Sequence, residues 1–123
     1  MATTRKTPQG SIIPITITVR SDGVDVHPTF ANVQNRPTPV RLRWQAAGGA
    51  TFPTSGCFSW KPTSDGRPSV SSPNSTGATT LESDEYTNDA ATQRIWSYSI
   101  TILDAAQNLI TIDPEVNNEP PMP

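Results

Sequence analysis

The chain has 123 residues, a net charge of -2, 13 prolines and one cysteine, and 33% of its residues are hydrophobic. A chain of this length forms one domain that buries roughly two thirds of its unfolded surface. The weak negative charge excludes the basic face that nucleic-acid binding needs, the single cysteine excludes an internal disulfide framework, and no apolar segment is long enough to span a membrane. Without a signal peptide or paired cysteines, the sequence predicts a cytoplasmic protein.

Residues 1–10 contain no apolar segment, and we expect them to form a flexible leader. The first strand follows, where Ile13, Ile15 and Ile17 alternate with threonines and Pro14. Because proline has no N–H to donate to a sheet, we expect this strand at an edge, at least near its start. An edge offers unpaired backbone groups to another chain, which makes the three isoleucines the predicted contact residues for strand addition.

Two further strands are predicted before residue 48. Val24, Val26 and Phe30 indicate a short second strand that is interrupted by His27-Pro28. The next segment alternates apolar and basic residues, in the order Val40, Arg41, Leu42, Arg43 and Trp44. This alternation predicts a central strand whose arginines face water.

Trp60 lies in a segment rich in proline, serine and glycine, where a loop or a lid over one end of the body is expected. Residues 61–80 predict either a long loop or two weak edge strands, around Ser69 to Ser71 and around Thr79 to Leu81. Of the aromatic residues, Trp60 is the one with the most loop-like surroundings, so its ring is the best candidate for a stacking surface. Together with Phe58, Lys61 and Arg67 it forms the predicted binding site for a glycan or a small ligand.

The most regular pattern in the chain lies near its carboxyl end. Large apolar residues alternate there with hydroxyl residues, in the order Trp96, Ser97, Tyr98, Ser99, Ile100, Thr101 and Ile102. This period of two predicts a strand with one buried face. It pairs as a hairpin with a strand over 109–112. The domain is expected to span residues 11–116, followed by a disordered, proline-rich tail over 117–123.

About seven short strands without a helical period predict an all-β fold, a single antiparallel two-sheet sandwich with flexible termini. The aromatic strand, the hairpin and the final Asp113-Pro114 resemble small bacterial cupredoxin-like and immunoglobulin-like domains. The resemblance covers residues 12–116 and includes the strand ending in Trp44 and the segment from Phe52 to Trp60.

In the copper-binding members, this resemblance implies a metal site of two histidines, one cysteine and a weak axial methionine. The chain has one histidine, His27. Cys57 is far from the carboxy-terminal hairpin and is not followed by a histidine, while Met122 lies in the expected tail. We therefore expect the fold to be used here without copper or another cofactor.

Several other side chains are of types that could form a metal site or an active site. His27 could bind a metal or titrate, and Cys57 could act as a nucleophile with His27 as its base, but a loop histidine and a small buried hydrophobe are the expected roles. Four carboxylates could hold calcium, although their spacing does not match an EF-hand and a solvated connector is expected: Glu82, Asp84, Glu85 and Asp89. No carboxylate pair or serine motif selects a hydrolase.

The leading hypothesis is therefore a non-enzymatic sandwich that acts by contact with a protein partner or with itself as a homo-oligomer. The second hypothesis is a glycan- or small-ligand-binding module that uses Trp60. A metal-dependent enzyme is the third and weakest hypothesis.

Overall fold

The computed structural model describes residues 11–61 and 67–121, so the predicted leader over 1–10 lies outside the described residues. The fold is all-β, as predicted. Nine strands lie in the described ranges: β1 (Ser11–Arg20), β2 (Gly23–His27), β3 (Phe30–Val33), β4 (Val40–Ala47), β5 (Phe58–Trp60), β6 (Thr80–Glu82), β7 (Arg94–Leu103), β8 (Leu109–Ile112) and β9 (Glu115–Asn118). No helix within these ranges is long and apolar enough to cross a membrane.

The strands form two sheets. The first has the order β2-β1-β4-β6, and the second has the order β3-β9-β7-β5, with β8 also paired to β7. The predicted hairpin between β7 and β8 is confirmed, with Ile100 opposite Ile112 and Leu103 opposite Leu109. Beyond Asp113-Pro114 the chain becomes strand β9, which pairs with β7 on the same side as β8 does.

Two pairs of strands are parallel, which corrects the prediction of an entirely antiparallel sandwich. β1 runs parallel to β4, and β3 runs parallel to β9. Parallel neighbours need a crossover connection, and here β2 and β3 carry the chain from one sheet to the other between β1 and β4. Alternation in the sequence reveals which face of a strand is buried, but it contains no information about the direction of its neighbour.

The core lies between the sheets, where the alternating residues of β7 meet those of β1 and β4. The predicted inward face of β7 is confirmed, since its four large apolar residues are each at most 3% exposed: Trp96, Tyr98, Ile100 and Ile102. Opposite them, Ile15, Ile17, Leu42 and Trp44 are at most 1% exposed. Burial of each such side chain contributes about 1.5–3 kcal/mol, so this layer is the main source of stability.

β1 is an inner strand for half of its length and an edge strand for the other half. It pairs with β4 from Ser11 to Thr18, but β2 covers its other side only from Thr16 to Arg20. The edge prediction is therefore confirmed near the start of the strand, where Pro14 lies. It is wrong for the second half, and Ile15 and Ile17 are core residues that present no side chain to a partner.

The predicted end of the domain at residue 116 and the disordered tail over 117–123 also need correction. β9 continues to Asn118, whose side chain is 1% exposed. The hydroxyl of Tyr86 donates to Oδ1 of Asn118 at 2.8 Å, and the N–H of Glu119 donates to the carbonyl of Val33 at 2.8 Å. Hydrophobic patterning missed this strand because a buried asparagine replaces an apolar residue. Residues 122–123 lie outside the described residues.

The middle of the chain contains more sheet structure than expected. Phe58–Trp60, which was predicted to be part of a lid or corner, is strand β5 and pairs with β7. The expected weak strand around Thr79 to Leu81 is present as β6 at the edge of the first sheet. The polar connector over 83–93 contains no helical turn and is held by Nδ2 of Asn88, which donates to the carbonyls of Val33 and Glu119.

Candidate functional site

Trp60 is half-buried, so it does not present an open ring surface. Its ring centroid lies 4.9 Å from that of Phe58 and 5.5 Å from that of Trp96, both in edge-to-face geometry. Its Nε1 donates to the carbonyl of Pro68 at 2.7 Å, and the guanidinium carbon of Arg67 lies 5.8 Å from the ring centroid. The rings of Phe58 and Trp96, the carbonyl of Pro68 and the guanidinium of Arg67 thus lie around this side chain.

The rings around Trp60 continue into the centre of the protein. Nε1 of Trp44 donates to the hydroxyl of Tyr98 at 2.8 Å, and Phe58 stacks on Tyr98 with centroids 5.1 Å apart. Burial raises the pKa of Tyr98 to about 12, and the hydrogen bond from Trp44 opposes that shift. These aromatic residues therefore form a structural core with satisfied polar atoms.

The structure brings the four predicted binding residues close together. Phe58 and Arg67 lie beside the ring of Trp60, and Nη1 of Arg67 donates to the carbonyl of Lys61. The side chain of Lys61 contacts a different group, with Nζ 3.6 Å from Oδ1 of Asp113. A hydrogen bond from Ser99 and, to a smaller extent, the charge of Lys61 lower the pKa of Asp113. Residues 62–66 lie outside the described residues.

The other singled-out residues form no common site in the described ranges. His27 is exposed at the end of β2, while Cys57 is fully buried with Sγ 3.6 Å from the hydroxyl of Ser72. Glu82 bonds Arg41 and Arg43, whose hydrogen bonds and charges together outweigh partial desolvation and lower its pKa. Over 11–61 and 67–121, no three His, Cys, Asp or Glu side chains are grouped to hold a metal ion.

The first half of β1 exposes backbone groups. The N–H of Ser11 donates to the carbonyl of Pro39 at 3.1 Å, so the backbone of Ser11 faces the β4 side. Backbone groups alternate sides along a strand, so those of Ile12 and Pro14 point away from β4, where β2 has not yet begun to pair. The N–H and C=O of Ile12 and the C=O of Pro14 have no backbone partner in the described chain.

We call the part of β1 that precedes Thr16 and is open on one side the half-edge. A cleft of about 260 Å³ borders this half-edge. It lies between the start of β1, the end of β3 and the connector that leads to β4. Its lining combines two apolar residues with polar and charged ones: Ser11, Ile13, Asn32, Gln34, Arg36, Thr38, Val40 and Glu119. Ile13 and Val40 are its apolar residues, so the cleft continues the hydrophobic interior outwards at this corner.

The two charged groups of this cleft have no counter-ion among the residues that the structure describes. The guanidinium of Arg36 donates to Oε1 of Gln34, and no carboxylate bonds it. The backbone of Glu119 is bonded to Val33 and Asn88, but its carboxylate is not engaged. Asn32 accepts from Nδ2 of Asn117 at 2.9 Å and keeps its own amide donor free for a ligand.

Of the residues at this corner, sequence reasoning found only the half-edge and Ile13. The cleft joins residues near position 12, between 32 and 40, and at 119, which are far apart in the chain. The only local signal is the polar run Gln34-Asn35-Arg36 before Pro37 and Pro39, which predicts a stiff connector and no binding site. No protein-family model and no curated protein matches the chain, so its function is inferred from this geometry.

Proposed function

We propose that the protein acts by contact, binding an extended segment of a partner protein by strand addition to the first half of β1. The observation that carries this proposal is the unpaired backbone of Ile12, which lies on an open half-edge beside a cleft. In strand addition, main-chain hydrogen bonds supply affinity, and pockets that take alternate side chains supply specificity. Both elements are present at this corner.

The half-edge by itself supports only a short ladder. Ile12 offers one donor and one acceptor, Pro14 offers an acceptor only, and β2 occupies the edge from Thr16 onwards. Each hydrogen bond contributes about 0.5–1.5 kcal/mol net. A partner that bound these groups alone would therefore bind weakly, and the cleft must supply the remaining affinity.

The cleft fits one side chain of an extended peptide better than a free small molecule. Its volume of about 260 Å³ is below the roughly 300 Å³ at which small-molecule pockets begin. Ile13 and Val40 favour an apolar side chain, which gains about 25 cal/mol for each Å² removed from water. The free amide donor of Asn32 can bond the main chain of the same segment.

A segment of another protein suits this edge better than a second copy of the chain. In a two-fold antiparallel pair centred on Ile12, Pro14 of each copy would be opposite residue 10 of the other copy. Because proline has no N–H, such a pair would lack two hydrogen bonds, one at each Pro14. A partner segment without proline would lack only the one bond at Pro14 of this chain. We therefore take a partner segment, and not a homo-oligomer, as the occupant.

The test selects peptides from a displayed random library against the full chain and maps them by amide hydrogen exchange. Selected peptides should slow exchange at Ile12 and shift the resonances of Ile13 and Val40. Ile12→Pro removes the edge donor and should weaken binding about tenfold, the equivalent of one hydrogen bond. Ile12→Val keeps the donor and should bind as the unmodified chain does.

Three results would overturn the proposal. These are selected peptides that protect a different surface, equal affinity for the folded Ile12→Pro variant, or no selected peptide at all. Dimerisation that protects Ile12 without any peptide would show that the occupant is a second copy. Thermal unfolding of both variants establishes that each is folded before binding is compared.

We also infer that the two-sheet body is a cupredoxin-like or immunoglobulin-like domain without the copper ligands. Its support is the confirmed sandwich class together with the aromatic strand and hairpin of the resemblance. A bacterial origin and a cytoplasmic location stay predictions from the sequence.

A glycan site at Trp60 stays a prediction as well, and the packing of that ring does not favour it as a second function. Quenching of tryptophan fluorescence by a panel of glycans tests it. A saturable change that is lost in Trp60→Phe would establish the site, and a flat response would remove it.

A further inference from the structure

A second cleft lies beyond the other end of β4. It has a volume of about 360 Å³, within the roughly 300–1,000 Å³ range of small-molecule pockets. Three separate segments form it, namely the stretch after β4, the turn before residue 78 and the β7–β8 connection. Its lining residues are Thr51, Phe52, Pro53, Thr54, Thr76, Gly77, Leu103 and Gln107.

The base of this cleft is apolar and firmly held. Phe52 is fully buried, and its N–H donates to the carbonyl of Ala78 at 2.8 Å. Thr51 and Leu103 exchange two backbone hydrogen bonds of 2.9 and 2.8 Å across the cleft wall. The elements that bring the three segments together are therefore sheet-like bridges, which fix the backbone that carries the lining side chains.

The rim consists of polar side chains that bond nothing else in the described chain. The hydroxyls of Thr51, Thr54 and Thr76 and the amide of Gln107 make no side-chain hydrogen bond within 11–61 and 67–121. Hydroxyls elsewhere on the second sheet behave differently, since those of Thr101 and Thr111 lie 2.8 Å apart and bond each other. The rim thus offers several donors and acceptors at one place.

No lining residue carries a charge. A cleft that binds phosphate, carboxylate or ammonium groups selectively needs a charged partner or a backbone anion site. Hydroxyl and amide groups above an apolar base match a small molecule that has several hydroxyls on one side and C–H groups on the other. We propose that this cleft binds a small neutral hydroxylated molecule, such as a monosaccharide or another polyol.

Gln107, on the rim of the cleft, has an unusual backbone conformation. It is the one non-glycine residue with a positive φ, 68°, among the residues that the structure describes. This conformation costs an L-residue about 1–2 kcal/mol, and glycine would adopt it freely. Gln107→Gly therefore removes the amide from the rim without straining the backbone.

The test titrates the full chain with glucose, galactose, mannose and glycerol, and follows amide resonances by NMR. At least one of these compounds should cause saturable shifts confined to residues 51–54, 76–77 and 103–107. Gln107→Gly and Thr54→Val should each weaken that binding about tenfold, since each removes a hydrogen-bonding group. Thr111→Val, the same hydroxyl-to-methyl change on the sheet face, should leave the affinity unchanged.

Glucose 6-phosphate serves as the charged comparison and should bind more weakly than glucose. Equal or tighter binding of the phosphate would overturn the proposal, as would shifts centred on Trp60 or the absence of saturable shifts with every neutral compound. The two clefts share no residue. If no neutral compound binds the second cleft, the proposal of strand addition at Ile12 is unaffected. If no peptide binds at Ile12, the proposal for the second cleft is unaffected.

Discussion

Two polar atoms at the centre of the aromatic core bond each other. Trp44 and Tyr98 are both fully buried, and the indole N–H of one donates to the hydroxyl of the other. No described buried side-chain nitrogen or oxygen lacks a hydrogen-bond partner. Large aromatic side chains can fill this core because their polar atoms bond one another or a neighbouring polar group, which avoids the cost of burying an unpaired group.

Tyr98→Phe should destabilise the fold by about 1–3 kcal/mol, because the buried Nε1–H of Trp44 loses its acceptor. Urea unfolding measured by tryptophan fluorescence checks the value. A comparable loss is not expected for Thr111→Val, where the hydroxyl is exposed. A change below about 0.5 kcal/mol, the size of ordinary surface effects, would show that the pair is not a significant source of stability.

Gly48 should not tolerate a side chain. Its φ is +74°, and a Cβ there would lie 2.3 Å from the carbonyl oxygen of Val19. Gly48→Ala should therefore cost more than the about 1–2 kcal/mol of a positive φ alone. Gly56→Ala is the matched control, since Gly56 has a φ of +66° and no atom within 4 Å of the added Cβ. Equal losses in urea unfolding would contradict the clash.

At the scale of an element, β1 shows how one strand can serve two purposes. Its second half is sandwiched between β2 and β4, while its first half has a neighbour on one side only. Pro14 lies in that first half, where no ladder donor is needed on the open side. This part of the edge prediction followed from the chemistry of proline and did not depend on the rest of the fold.

The last strand, β9, should be required for the stability of the fold. A chain that ends at Val116 loses the buried Asn118 and should be destabilised by several kcal/mol, because Tyr86 and Val33 lose their partners. A chain that ends at Glu119 keeps these bonds and should unfold at nearly the same urea concentration as the full chain. Equal stability of the two truncated chains would show that the last strand is dispensable.

At the scale of the whole molecule, buried tyrosines make the fold sensitive to alkali. Burial raises the pKa of Tyr98 to about 12, and that of Tyr86 is also raised by burial. The folded state therefore holds protons that the unfolded state releases near pH 10. The stability that these protons supply is fully present below about pH 10 and is lost as the pH rises through about 12.

The free energy of unfolding measured in urea should accordingly stay constant from neutral pH to the ordinary tyrosine pKa and then fall by up to roughly 1.4 kcal/mol per pH unit for each tyrosine. Tyr86→Phe should reduce the slope of that fall, since one of the two titrating groups is gone. A flat profile above pH 10 would mean that the tyrosines ionise equally well in the folded state.

Strand alternation was enough to determine the all-β class, the inward face of β7 and its hairpin with β8, because apolar side chains must leave water wherever the strands are placed. The missing N–H of Pro14, and not alternation, located the half-edge at the start of β1. Alternation could not reveal the parallel partner of β1 or the strand at Asn118, since neither depends on apolar periodicity.

Only the tertiary structure decided where the clefts lie. Glu119 meets Ile13 and Gln34 in one of them, and Gln107 meets Thr51 and Thr76 in the other. Each cleft forms where strand ends and loops from distant parts of the chain converge at one end of the sandwich. Local sequence specifies which side chains are polar, but their convergence depends on the order and direction in which the strands pair.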